Sequence, residues 1–334
     1  MAAYALRRLA LIPPLLIGVS LLLFVLTHLV PADPAKLIAG EHAGPAEVAA
    51  VRHAFGLDLP LPRQYLIYIE KLARGNLGVS MLTNTPVLSD LLQYFPATIE
   101  LAAAAMFLTV VLGVPLGIIS AVRAGSPIDL AAQVLSVSGL SFPIFFFGIL
   151  VQLVFVRGLG WFPLSGRLDI VAIPPHHITG LYVVDSLLTG NFEDLWSAAS
   201  HLVLPSFTLA LTSLAPTVRI TRSTMMEALS QDYIRTAWAK GLVSTRVFVH
   251  HGLRNALIPV VTVLGLYTSG LLGGVFLVEL IFNWPGVGLY SVNAITAFDY
   301  SAVMGTSLLL TVTFVLVNLG VDLLYAVIDP RIRY

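Results

Sequence analysis

Leu9 to Val30 reads LALIPPLLIGVSLLLFVLTHLV, an unbroken stretch with no Asp, Glu, Lys or Arg, entered directly from Arg7 and Arg8. A helix of about 20 apolar residues crosses the hydrocarbon core of a bilayer, because there every backbone polar group must be satisfied within the segment. A cleaved secretory signal has a shorter apolar region and a small-residue cleavage site. Val30-Pro31-Ala32-Asp33 offers no such site, so the block reads as a retained membrane helix. Five more blocks free of Asp, Glu, Lys and Arg follow: Leu101–Ala121, Leu130–Val156, Leu195–Val218, Ala256–Val278 and Ser301–Val321, the last continuing past Asp322 to Ile328. Pro143, Pro205, Pro216 and Pro259 fall inside or near the ends of these blocks, where helices packed in a membrane tolerate them.

The composition agrees. Of 334 residues, 57% are hydrophobic and 11% charged, against about 25% charged in soluble domains. The 18 basic and 18 acidic residues cancel, which argues against a nucleic-acid partner. With no cysteine, disulfides, thiolate metal sites and thiol nucleophiles are excluded together. The expectation is an all-α polytopic membrane protein with six transmembrane helices.

Orientation follows from where the basic residues lie. Arg7, Arg8, Arg123, Arg219, Arg222, Arg235, Lys240, Arg246, Arg254, Arg331 and Arg333 fall on one side, and the longer loops of the other side hold the remaining seven. The denser side should be cytoplasmic, with both termini inside. Trp161, Trp196 and Trp284 flank spans on the opposite side, as an aromatic belt does. The chain therefore divides into an N-terminal helix (1–30), an extracytoplasmic loop region (31–97) and a five-helix core (98–334). Within the loop region, Ala46–Phe55 and Arg63–Leu72 read as helices, and Asn76-Leu77-Gly78 and Asn84-Thr85-Pro86 as turns.

The inside loop after the fourth block carries a short helix of its own, at about residues 232–241. Asp232 suits its positive N-terminal end, Lys240 its C-terminal end, and Gly241 a left-handed cap. Tyr233, Ile234, Ala237, Trp238 and Gly241 share one face by three- and four-residue spacing. Asp232, Arg235, Thr236 and Lys240 stay largely off it. Such an aromatic-tipped stripe suits either an anionic lipid surface or the groove of another protein, and the pattern alone leaves both open.

Arg235-Thr236-Ala237-Trp238-Ala239-Lys240-Gly241, with His251-Gly252-Leu253-Arg254-Asn255-Ala256-Leu257-Ile258-Pro259 after it, resembles the signature loop of ATP-binding-cassette (ABC) importer permeases. The variant is that of the dipeptide/oligopeptide/nickel branch. Phe55-Gly56-Leu57-Asp58-Leu59-Pro60, Gly75-Asn76-Leu77-Gly78-Val79-Ser80, Glu279-Leu280-Ile281-Phe282-Asn283-Trp284-Pro285-Gly286-Val287-Gly288 and Asp329-Pro330-Arg331-Ile332-Arg333 extend the likeness over the whole chain. It is greatest to the first, B-type, permease subunits of dipeptide importers. The resemblance implies a type I importer permease fold in a bacterial cytoplasmic (inner) membrane. It also implies a second homologous permease, two cytoplasmic ATPases and a periplasmic or lipid-anchored substrate-binding protein, with membrane lipid around them. Tyr233, Ile234, Arg235, Thr236, Ala237, Trp238, Lys240 and Gly241 then form the coupling helix that meets the ATPase.

No phosphate loop is present: Gly270-Leu271-Leu272-Gly273-Gly274 lies in a span and lacks the lysine. ATP and magnesium are thus expected on the partner ATPases, with no cofactor, metal or catalytic residue on this chain. His176-His177 reads as an exposed polar turn and His250-His251 as structural. Glu100 sits one turn into the second block, where a carboxylate favours a helix N-terminus. Gly270, Gly273, Gly274 and Glu279 are candidate pathway or gate positions, with close helix packing as the other reading of the glycines. An intramembrane enzyme would need paired catalytic groups within spans, and none appear. An ion-coupled carrier commonly has midplane charges and inverted repeats, whereas here the charges stay near the span edges.

Overall fold

A computed structural model of the chain describes residues 2–29, 34–40, 43–54, 56–169 and 171–328. Among the described residues, five helices are long and apolar enough to cross a membrane: Leu6–Leu26, Val87–Val122, Phe192–Leu229, Arg246–Thr268 and Tyr300–Leu323. These carry the first, second, fourth, fifth and sixth apolar blocks. Many of their large side chains face outward, among them Leu21, Leu22 and Val25 of the first block and Phe107 and Val111 of the second. Lipid is the solvent that suits such a surface.

The third block departs from the expected single helix over Leu130–Val156. Helix Pro127–Ser141 stops, Phe142 turns extended at ψ 130°, and a second helix starts at Ile144. Pro143 explains the break: it forces the preceding residue out of the α region and offers no N–H to the helix before it. The second piece continues through a π-helical segment, Gln152–Gly158. A second departure concerns the second block, whose helix begins at Val87, well before Leu101. Its polar start, with Asp90 in the first turn, masked it from a reading based on apolar runs.

Other elements lie where residue chemistry puts them. Helices Pro45–Ala54 and Leu61–Ala73 match the two expected in the loop region. Asn191 caps the fourth-block helix by accepting from the Asp194 N–H at 3.2 Å. Glu193 and Asp194 add negative charge at the same end. Pro205 and Pro216 stay inside this 38-residue helix without ending it. The sixth-block helix runs Tyr300–Ile328; the arginines expected beyond it lie outside the described residues.

Contacts divide the chain into two compact units. One comprises Ala2–Phe95 with Tyr290–Val315. In it Ser20 and Tyr65 are hydrogen-bonded at 3.0 Å, and Phe24 meets the Tyr65 ring edge-on. Asp299 is its main polar joint. The carboxylate accepts from Ser80 Oγ at 2.6 Å and the Met81 N–H at 2.7 Å, while its other oxygen caps the sixth-block helix through the Ala302 N–H. Gly78 in the neighbouring turn has φ +88°, and a Cβ there would lie 3.0 Å from Ser301 Oγ.

The other unit comprises Pro96–Leu289 and the chain from Leu316 onward. Its core joins Leu101, Ala105, Val151, Leu204, Leu209, Leu271, Val275, Val278, Phe282 and Trp284. The second- and fourth-block helices meet here through small residues. Thr109 and Ser213 hydroxyls pair at 2.8 Å. A Cβ on Gly117 would sit 2.5 Å from Thr221 Cβ and 2.8 Å from the Val218 carbonyl oxygen. Gly113 and Gly117 thus form a small-xxx-small approach of the kind that drives helix association where the hydrophobic effect between helices is absent.

Candidate functional site

The short loop helix forms over Asp232–Ala239, with Ser230 and Gln231 between it and the end of the fourth-block helix at Leu229. Gly241 follows at φ +70°, with its N–H bonded to the Trp238 carbonyl. That left-handed backbone is open to glycine at no steric cost, and nothing would crowd an added Cβ. The helix is stapled to its own chain from behind. Ile234 and Ala237 are buried with Val247 of the segment Arg246–Leu253, edged by Leu229 and Leu242.

The apolar stripe is consequently shared between two tasks. Ile234 and Ala237 turn inward, while Tyr233 remains 39% and Trp238 43% exposed. The Trp238 ring leans edge-to-face on Phe248, centroids 5.9 Å apart. Arg235 is exposed and lies 3.4 Å from Asp232 at the surface. Thr236 donates its hydroxyl back to the Asp232 carbonyl. Lys240 and Gly241 are exposed at the far end. The helix is a small rigid plate with a fixed back and an aromatic, basic front.

Behind the plate, the fourth-block helix is pinned. Arg222 donates from Nε and Nη2 to both oxygens of Asp129, at 2.7 and 2.9 Å. Ser120 Oγ, the Gly125 N–H and Gln133 Nε2 complete the shell around that carboxylate. Residues 93 positions apart meet in this clamp, and the sequence gives no cue to it beyond a lone Asp at a span edge.

Glu279 is 0% exposed. Thr98 Oγ1 donates to one carboxylate oxygen at 2.6 Å and the Leu289 N–H to the other at 2.9 Å. Thr98 Oγ1 in turn accepts from the Val287 N–H. Gly286 and Gly288 wrap the carboxylate so closely that a Cβ on Gly286 would overlap it. Trp284 Nε1 donates to the Ala97 carbonyl at 2.9 Å. The stretch 279–288 is therefore a carboxylate-centred turn. Glu279, an expected pathway or gate candidate, is buried here with a hydrogen-bond donor on each carboxylate oxygen.

Beside it lies an ion pair that sequence reasoning missed. Arg167 Nη2 donates to Glu100 Oε2 at 2.5 Å and to the Gly180 carbonyl at 3.0 Å. Its guanidinium sits 3.5 Å above the Tyr182 ring. Glu100 also accepts from the Val183 N–H, so it serves as a tertiary bracket rather than as a cap on its own helix. Asp185 organises the same loop. Burial opposes its charge, but the Thr179 hydroxyl and the N–H groups of Thr179, Gly180 and Ile178 outweigh that and hold it below the usual carboxylate range.

Gly270 is exposed and lines a groove of about 580 Å³ together with Arg219, Ser223 and Tyr267. Gly273 and Gly274 lie in the same helix, Arg254–Ile281; their surroundings fall outside what is described.

The chain thus combines several membrane-length apolar helices with a loop helix anchored from behind by its own chain and fronted by aromatic side chains, and its likeness to known proteins places it among membrane permeases. Residues 113–334 match the family model described as "binding-protein-dependent transport system inner membrane component", and residues 1–102 match the model of the N-terminal part of such membrane components. The chain belongs to this family, and its place is the inner membrane. It is 44% identical over all of both chains to a dipeptide transport system permease protein of Alkalihalophilus pseudofirmus. It is 46% identical to a probable D,D-dipeptide transport system permease protein of Escherichia coli, over 94% of this chain and 93% of that one. A glutathione transport system permease protein of Pectobacterium atrosepticum is 42% identical over 98% of this chain and 97% of its own.

Proposed function

We propose that this chain is one of two permease subunits of an ABC importer for di- and oligopeptides, taking its cargo from an external binding protein. Full-length likeness to permeases named for dipeptides supports the substrate class. The relative named for glutathione marks the second reading, itself a peptide-like solute. ATP and magnesium belong to two partner ATPases on the inner side. Tyr233, Arg235, Thr236, Trp238, Lys240 and Gly241 meet the ATPase, and Ile234 and Ala237 hold the plate to its own subunit. The observation that carries this reading is the division of the loop helix into a fixed back and a free aromatic front. A lever needs both: a back that transmits force and a front that receives it.

Closure of the ATPases would push the plate, and the Arg222–Asp129 clamp would pass that push into the second, third and fourth blocks together. Gly270, Gly273 and Gly274 line the path or permit its helix to shift, with the Gly270 groove supporting the first role. Both termini and the loop helix are cytoplasmic in this account. Reconstitution into proteoliposomes with the companion permease, the ATPases and the binding protein tests it. Dipeptide uptake should require ATP and survive collapse of ion gradients. Uptake that follows an ion gradient with ATP intact would overturn the reading.

A further inference from the structure

Where the fifth block enters the membrane, its helix carries a groove of about 590 Å³ outside the loop-helix plate. Its walls are apolar: Val249 is 53% exposed, and Leu253 and Leu257 continue the wall into the block. Its rim is cationic. Arg246 and Arg254 are both exposed on it, and neither has a carboxylate partner among the described residues. Arg222, at the inner end of the fourth block, is by contrast paired with a carboxylate.

We infer that this groove is a binding site for an anionic diacyl phospholipid of the inner leaflet. Its phosphate would lie between Arg246 and Arg254, and one acyl chain would run along Val249, Leu253 and Leu257. Two independent features favour lipid over a protein occupant. The charge is unpartnered at the end of a span, where basic clusters meet anionic headgroups. The apolar wall also continues inward. Arg246 and Leu257 are separated by about 15 Å of helix, and Leu257 already belongs to the apolar block that starts at Ala256. A cytoplasmic protein would have to enter the bilayer to cover that wall, whereas an acyl chain is already there. The inference concerns this subunit's lipid contacts and stands apart from the peptide substrate.

The test uses the assembled transporter in mild detergent, offered phosphatidylglycerol and phosphatidylcholine of identical acyl chains, with bound lipid counted by native mass spectrometry. Phosphatidylglycerol should be retained in preference. Each of Arg246→Gln and Arg254→Gln should lower that preference about fivefold, and the pair about 25-fold. Val249→Trp fills the groove, leaves the charge at the membrane edge intact, and should also release the lipid. Inorganic phosphate should not compete. Equal retention of the two lipids by the unaltered protein would overturn the inference. So would loss of preference in the arginine variants with full retention in Val249→Trp, which would mean surface attraction alone. Dissociation of the ATPases from the arginine variants with lipid retention unchanged would assign the groove to a protein partner instead.

Discussion

Arg167 and Glu100 show how much a single buried pair can carry. Both side chains are 6% exposed, so removing one leaves the other charged and unpaired in a low-dielectric interior. Breaking a buried pair in this way costs about 3–5 kcal/mol. Arg167→Ala should therefore lower the thermal unfolding temperature of the purified protein sharply, and Arg167→Met combined with Glu100→Gln should recover much of the loss. A single variant as stable as the unaltered protein would show that the pair is dispensable. Asp185 contributes through pH. Its folded pKa lies below the unfolded value of 3.8, so its stabilisation is fully present above that value and is lost as pH falls through the folded pKa. Between pH 7 and 5 the difference in unfolding temperature between the unaltered protein and Asp185→Asn should therefore stay constant. Below about pH 4 the unaltered protein should lose stability more steeply than Asp185→Asn.

Among the elements, the second- and fourth-block helices are the tightest contact. Gly117→Leu would drive a branched side chain into Thr221 and the Val218 carbonyl. Overpacking of this kind costs about 1–3 kcal/mol. Gly125→Ala, at an open turn with φ +79°, adds backbone strain beside the Asp129 carboxylate but inserts no side chain between the helices, and should not separate them. A cysteine pair placed across the two helices would report the difference by its rate of cross-linking. The helices themselves were legible because apolar run length reports them directly. Gly113 and Gly117 were equally visible as a spacing, though nothing in the sequence says which helix they approach. Pro143 was also visible, but its effect depends on whether neighbouring helices hold the chain straight. The fourth-block helix runs through Pro205 and Pro216, whereas the third block breaks at Pro143. The long-range brackets were not legible at all: Arg222 with Asp129, Arg167 with Glu100, and Glu279 with Thr98 are chosen by tertiary packing, which leaves no local periodicity.

At the scale of the whole molecule, the signature loop was readable as a helix, and its cap at Gly241 has the backbone that only glycine adopts freely. The division of its apolar stripe was not readable, since it depends on where Val247 packs. That division sharpens the central claim. Trp238→Ala removes a half-exposed aromatic anchor, and such anchors are worth about 2 kcal/mol or more at an interface hot spot; on this chain it also loses an edge-to-face contact with Phe248. Gly241→Val should disturb the cap without touching a span. Arg235→Ala, held only by a surface contact to Asp232, should do less. The decisive measurement is the amount of ATPase that co-purifies with each variant from membranes containing equal amounts of permease. The account predicts strong loss for Trp238→Ala and Gly241→Val and near-normal retention for Arg235→Ala. Full ATPase retention and normal peptide uptake in both Trp238→Ala and Gly241→Val would contradict it.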